Sequence, residues 1–123
     1  MTKQEIIELY RPYLGIWTIT TMSQGIASFE LAVVGDNIVM SCLGTDGGLV
    51  PGDWGTVVID TYTDTPSGKK EVAFLASFDT ERFNAVLSVY ANNDLMVIAA
   101  NVAMKGEGNP PTYFIREFYA HMN

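Results

Sequence analysis

Few side chains in this sequence are suited to making or holding bonds, and their spacing narrows the chemistry further. Arg116 lies within Tyr113-Phe114-Ile115-Arg116-Glu117-Phe118-Tyr119, a charge inside a strongly β-prone aromatic run. A guanidinium can clamp a carboxylate or lie on an indole face. Strand alternation puts Arg116 with Phe114 and Phe118, and Glu117 with Tyr113, Ile115 and Tyr119. Trp17, early in the chain, is the expected stacking partner of Arg116 if the first and last strands adjoin. Trp54, in Pro51-Gly52-Asp53-Trp54-Gly55, ends a glycine-rich stretch and suits either a lid over a cavity mouth or an anchor for its own loop. Asp60 and Thr61 interrupt an apolar run, so one of them points inward, and an inward carboxylate needs a polar partner. Tyr62 and Tyr90 suit a cavity lining or an interface. The ligand-contacting candidates are therefore Trp54, Asp60, Tyr62 and Tyr90.

Catalytic options are poor. Cys42 has no histidine near it, and the only histidine, His121, stands close to the chain end, where termini fray. A Cys/His dyad, a Ser/His/Asp triad and a multi-histidine metal site are not expected. Gly44-Thr45-Asp46-Gly47-Gly48 lacks the Gly-Lys-Ser of a phosphate loop and the spaced acidic ligands of a calcium loop. No catalytic residue, metal or cofactor is assigned, although Asp and Glu pairs can converge in space from distant positions.

These residues must be positioned by a chain of 123 residues, 48% hydrophobic and 17% charged, with one Cys. That is one domain, 1–123, able to bury roughly two-thirds of its unfolded surface. Aromatics spread along the whole length argue against disorder, and a lone Cys rules out an internal disulfide framework. Seven Lys plus Arg against 14 Asp plus Glu give a net charge of −7, at a mean hydropathy of +0.15. Lys69-Lys70 is the only adjacent basic pair, so no positive face for nucleic acid is expected. An acidic surface also repels anionic membranes. The opening MTKQEIIELYRP carries Lys3, Glu5 and Glu8 where a signal peptide needs an apolar core, and the apolar stretch 95–104 is too short to span a bilayer. A cytoplasmic location is the default, and a removed leader would leave no trace here.

Residues 1–12 read as a short helix. Thr2 and Glu5 form a capping-box pattern, Ile6, Ile7 and Tyr10 recur at helical spacing, and Pro12 limits the segment. About two turns of helix cannot stand alone and must pack on something. Residues 14–120 are β-prone runs rich in Val, Ile, Thr, Phe and Tyr, divided by Gly, Asp, Asn and Pro. Strands are expected at 15–23, 26–34, 37–43, 55–63, 70–78, 82–91, 94–104 and 112–120, eight in all. Turns fall at 34–37, 65–68, 79–81 and 92–94, and one longer connector runs from Gly44 to Trp54. Short connectors imply antiparallel neighbours. The fold class is therefore all-β, an eight-stranded antiparallel up-and-down β-barrel with a short N-terminal helix, which also removes exposed edges.

Val57, Ile59 and Thr61 oppose Val58, Asp60 and Tyr62, and Phe83, Ala85, Leu87 and Val89 oppose Asn84, Val86, Ser88 and Tyr90. The stretches 72–78 and 95–104 are apolar on both faces, more than a solvated wall allows. One short helix cannot cover both, so a homo-oligomer, a dimer or a tetramer, is expected.

Gly15-Ile16-Trp17 heads the first strand after a short helix, and Arg116 lies in the last strand. This arrangement resembles the calycin superfamily of lipocalins and fatty-acid-binding proteins, whose Gly-x-Trp motif and terminal-strand basic residue close the barrel bottom. It is also similar to the avidin group, whose short eight-stranded barrels assemble as oligomers. The resemblance implies structural closure by Gly15, Trp17 and Arg116, and a central cavity for a small apolar or amphipathic molecule. The chain departs from those families in having no disulfide pair, no second or third lipocalin motif and too few tryptophans for a biotin pocket. The leading functional reading is non-catalytic binding of a hydrophobic small ligand in the cavity. A second is a filled barrel acting on a partner chain through its apolar outer face. A third is a small barrel enzyme, of isomerase or cyclase type, using Asp, Tyr and Arg. An interior filled by Phe and Leu would argue against the first, and convergence of Asp60, Tyr62, Tyr90 and Arg116 on one enclosed point would favour the third.

Overall fold

A computed structural model describes residues 1–62 and 72–122. The turn expected at 65–68 and the Lys69-Lys70 pair lie outside the described residues. Helix α1 spans Lys3–Tyr10 and runs into a 3-10 turn, Arg11–Tyr13. The strands are β1 Gly15–Ile19, β2 Ile26–Val34, β3 Asn37–Gly44, β4 Gly52–Val58, β5 Asp60–Tyr62, β6 Ala73–Asp79, β7 Phe83–Asn92, β8 Leu95–Met104 and β9 Thr112–His121. They form one sheet in the order β4-β3-β2-β1-β9-β8-β7-β6-β5, with every pairing antiparallel.

The expected eight-stranded barrel is corrected here: the sheet has nine strands and is nearly closed. The run expected as one strand at 55–63 divides at Ile59. Val58 pairs with Val39 on β3, and the Ile59 amide still donates to the Ile38 carbonyl at 3.1 Å. Asp60 then pairs with Leu75 on β6, at the other edge of the sheet. One continuous stretch of chain thus begins on one edge and ends on the other, and this crossing draws the edges together. Beyond it β4 and β6 are not hydrogen-bonded neighbours, so a seam remains. The mostly closed antiparallel barrel with its short N-terminal helix is consistent with a calycin-like fold. No helix among the described residues is long and apolar enough to cross a membrane.

Helix α1 begins as its sequence directs. The Glu5 amide donates to Thr2 Oγ1 at 3.1 Å and the Thr2 amide to Glu5 Oε1 at 3.0 Å, satisfying two amides that the first turn leaves without partners. The helix buries Ile7 and Tyr10 against the barrel. The Tyr10 hydroxyl donates to the Ala73 carbonyl at 3.0 Å, and its ring tilts against Phe74 at 6.0 Å, tying the helix to the start of β6. Pro12 sits inside the 3-10 turn, where its missing donor costs nothing.

The long connector is shorter than expected, because β3 runs on to Gly44 and β4 starts at Gly52. Its amides find partners on the neighbouring β1–β2 connection: Thr45 donates to the Gly25 carbonyl and Leu49 to the Gln24 carbonyl, both at 2.8 Å. Gly44 is required where it stands, since a Cβ there would collide with the Val50 carbonyl. The loop therefore folds flat and delivers Val50, 1% exposed, into the core.

Alternation along the strands fills the interior. On β7, Phe83, Ala85, Leu87 and Val89 are buried while Asn84, Val86 and Ser88 are exposed, as the sequence pattern predicts. Phe29, Met40, Phe74, Phe83, Leu87, Met96 and Tyr119 are all at most 2% exposed and belong to one contiguous core.

Candidate functional site

At one end of the barrel, Trp17 lies in a stack of rings. The Tyr13 ring is parallel to it at 6.3 Å, Phe29 at 6.2 Å and the His121 imidazole at 4.4 Å. The indole Nε1 donates to the Tyr13 carbonyl at 2.9 Å. His121 Nε2 lies 2.8 Å from the Leu14 carbonyl, which can only accept, so Nε2 carries the proton. Gly15 has φ +110°, and a Cβ there would approach His121 Nε2 to 3.2 Å. Glycine thus lets the backbone turn and leaves room for the imidazole.

The expected Arg116–Trp17 stack is not formed. Trp17 pairs in register with His121 and points inward, whereas Arg116 pairs with Ala99 and points outward. The Arg116 guanidinium instead sits over the Phe118 ring, 5.5 Å from its centroid. Gly15 and Trp17 do stand at the barrel end, with His121 in the place foreseen for arginine. The expectation of a frayed His121 fails for the same reason: the residue is held within β9. The alternation that turns Tyr119 inward also turns His121 inward, so carrying that pattern to the last residues would have found the stack.

Trp54 is 4% exposed and is an anchor, not a rim residue. Its Nε1 donates to the Val50 carbonyl at 2.9 Å, and its ring meets Phe78 at 5.6 Å and Phe83 at 4.7 Å, edge-on in both cases. It therefore spans the seam from β4 to β6 and β7. Arg82 reinforces the same place by donating from Nη2 to the Pro51 carbonyl at 3.0 Å. Asp60 faces solvent while Thr61 is half-buried, which settles which of the two points inward. Tyr62 is exposed, and Tyr90 is half-buried on the outer side of β7. By register, Asp60 and Arg116 end one row, Asp60–Leu75–Ser88–Ala99–Arg116, four strands apart on the outside. Asp60, Tyr62, Tyr90 and Arg116 therefore do not surround an enclosed point.

A polar cluster that residue spacing did not single out lies inside. Ser23 Oγ is 2.8 Å from Glu117 Oε1 and 3.1 Å from the Ile26 carbonyl, and the Tyr119 hydroxyl donates to that carbonyl at 2.6 Å. The signal was Glu117 itself, a carboxylate on the inward face of an aromatic strand. Burial first, and then the Glu117 charge, push the Tyr119 phenol far above its ordinary pKa, and burial does the same to Tyr10. Both phenols must stay neutral in the fold but ionise in the unfolded chain above about pH 10. Their contribution is complete below that pH and is lost as pH rises through the folded-state values, because the unfolded state then binds fewer protons. We expect the urea midpoint to fall steadily above about pH 10, with tyrosinate absorbance from these two rings appearing only on unfolding. A midpoint flat to strong alkali would contradict this. Cys42 is equally sealed: it is fully buried, and burial raises its thiol pKa, which removes thiolate chemistry from the folded protein.

Among the described residues no group of three or more His, Cys, Asp or Glu is placed to hold a metal ion. Depressions lie at the barrel end and on its outer wall. The one beside Tyr13, Trp17, Asp94 and His121 measures about 420 Å³. Another, of about 440 Å³, runs among Asn84, Val86, Asn101, Thr112 and Phe114 on the outer wall.

That wall is the outward side of β7, β8 and β9. Four of the five rows that register places across it are Tyr90–Val97–Phe118, Ser88–Ala99–Arg116, Val86–Asn101–Phe114 and Asn84–Ala103–Thr112. Phe114 is 66% exposed, Val86 46% and Phe118 38%. Val97, outward by alternation, is fully buried between its row partners. None of the twelve positions carries a carboxylate, and Arg116 is the one charge among them. Comparison with protein-family models, with curated proteins and with solved structures finds no match to this chain.

Proposed function

We propose that this protein is a non-catalytic interaction module, a side-chain-filled barrel that binds a partner chain through the outer wall of β7–β9. A barrel architecture is compatible either with ligand binding or with an interaction role. The observation that favours interaction is the exposure of Phe114, Phe118 and Val86 on one carboxylate-free wall of an otherwise acidic chain. Inside, Phe29 adjoins Trp17 and Tyr119, with ring centroids 6.2 and 5.2 Å away, and Trp54 adjoins Phe78 and Phe83, at 5.6 and 4.7 Å. A guest would have to displace these rings. Two exposed phenylalanines four residues apart on one strand have no use in a solvated wall and a direct use as anchors in a partner's contact.

Native mass spectrometry tests the reading. The purified protein is expected to fly as an assembly heavier than its 13.5 kDa chain, with no stoichiometric small molecule. Phe114→Ser removes a side chain that packs on little, so the monomer should keep its stability within about 0.5 kcal/mol while the assembly is lost. A monomer carrying a bound small molecule, or an assembly indifferent to Phe114→Ser, would overturn the reading.

A further inference from the structure

We propose that the open edge of β9 pairs with the same edge of a second copy of this chain, joining the two sheets through an antiparallel β9–β9 contact. The inference draws on backbone groups and not on the side chains of the wall, and so goes beyond the reading above. β8 pairs with residues 112–120 on one side of β9. On the other side β1 pairs only with residues 119–121, and the Thr20 amide adds a bond to the Phe118 carbonyl. Strand β1, expected to reach residue 23, stops at Ile19, and the chain then turns inward. Ser23 Oγ lies 2.8 Å from Glu117 Oε1, and Gly25 packs on the inward side chain of Ile115, where a Cβ would come 2.7 Å from Cδ1. No strand is left beside the first half of β9. Bond parity shows which groups this leaves open. The Met104 amide donates to the Pro111 carbonyl at 3.1 Å, so every second row from there turns the backbone groups of Tyr113, Ile115 and Glu117 toward β8. Those of Thr112, Phe114 and Arg116 point the opposite way, and none of them has a partner among the described residues. Such an edge is a template for another strand.

The stops at the two ends of this edge fit a second copy. A half-turn about an axis perpendicular to the sheet, lying outside the edge at Phe114, sets the two β9 strands side by side about 4.8 Å apart, with no overlap of the copies. Phe114 then exchanges both of its bonds with Phe114 of the second copy, and Thr112 does so with Arg116, so every open group is used. Beyond these, Pro111 of the second copy falls opposite Glu117, and the next position, beside Phe118, is held by Thr20. The second copy's strand ends at that point as well, because Pro110-Pro111 interrupts it and its chain leaves toward its own β8. A strand that ran on would collide with Thr20. Side chains agree with this register. The two Phe114 rings become neighbours on the outer face, Arg116 faces Thr112 and Glu117 faces Pro111, so chains of net charge −7 meet here without opposing like charges.

Hydrogen exchange followed by NMR on the full chain, with sedimentation velocity, tests the pairing. Protection of the Phe114 and Arg116 amides should rise about threefold or more between about 20 μM and about 1 mM chain, while the Tyr113 and Ile115 amides, bonded to β8, stay protected at both. Arg116→Pro removes an open amide and costs the β8 ladder no bond, so the chain should fold and its dimer dissociation constant rise at least about tenfold. Arg116→Ala keeps the amide and should change that constant less than about threefold. Phe114 and Arg116 amides that exchange freely up to about 1 mM, or a dimer indifferent to Arg116→Pro, would overturn the pairing. Protection that is equal at every concentration overturns it too, and means that the chain covers its own edge. Phe114→Ser separates this inference from the wall reading, because it keeps every open amide. Concentration-dependent protection of Arg116 that persists in that variant upholds the edge pairing and sinks the wall reading. An assembly lost in that variant, with no such protection in the wild type, does the reverse.

Discussion

Replacing Trp54 with alanine is expected to cost about 3–5 kcal/mol of stability, the range for removing a fully packed large aromatic. Three losses combine at this position. The indole contacts with Phe78 and Phe83 disappear, so β4 loses its bridge across the seam to β6 and β7. No ladder hydrogen bonds join β4 to β6, so the backbone cannot close the gap that the ring leaves. The Val50 carbonyl also loses its indole donor within a buried environment. Trp54→Phe separates these effects. It keeps most of the ring volume and loses the donor, so it should cost about 1–2 kcal/mol. Urea unfolding with an unchanged m-value reads both numbers. A Trp54→Ala loss under about 1 kcal/mol would mean that the seam is held elsewhere.

The same residue shows how far the sequence could be read. Glycines on either side of Trp54 mark a loop end, and an anchor was one of its two expected roles. What spacing could not show is which strands the indole joins, because that depends on where the sheet fails to close. The strand count failed at the same seam. Residues 55–63 carry an unbroken period-two pattern, and the structure keeps that pattern: Val57 and Thr61 are half-buried and Ile59 is buried. Only the hydrogen-bond partner changes, from β3 to β6, as the chain passes Ile59. Side-chain alternation reports faces and carries no information about which neighbour a strand pairs with, so one run of sequence became two strands.

Faces, by contrast, were legible wherever alternation was clean. The inward set of β7 and the opposite placement of Arg116 and Glu117 both follow from period two. The pairing of Arg116 with Trp17 ignored that rule. Trp17 faces inward as a large apolar ring should, and Arg116 shares its face with Phe114 and Phe118, both of which the structure leaves exposed. Two residues on opposite faces of one sheet cannot stack, whatever their chemical suitability. Asp60, Tyr62 and Tyr90 suit ligand contact by their chemistry, but alternation puts all three outside. The doubly apolar strand 95–104 pointed the other way and to more effect. Its outward residues Val97, Ala99 and Ala103 form the middle column of the wall on which the proposed interaction rests.

The end of the barrel supplies the second large effect. Trp17→Ala should cost about 3–5 kcal/mol, since the ring is 3% exposed and contacts Tyr13, Phe29 and His121 at once. Two further substitutions, and their combinations with Trp17→Ala, then assign the closure. His121→Ala removes the imidazole stacked on the indole and the donor to the Leu14 carbonyl, for about 1–3 kcal/mol. Arg116→Ala, measured on the dilute chain, removes an exposed guanidinium lying over Phe118 and should stay within about 0.5 kcal/mol. In the double substitution of Trp17 and His121 the losses should fall short of their sum, because each removes the same stack, and Trp17 with Arg116 should add. If Arg116→Ala costs more than His121→Ala, the basic residue of the last strand closes this barrel after all. The reverse ranking means that the role an arginine would play has passed to an imidazole five residues further along the strand, on the face that looks inward and beside the one glycine whose missing Cβ makes room for it.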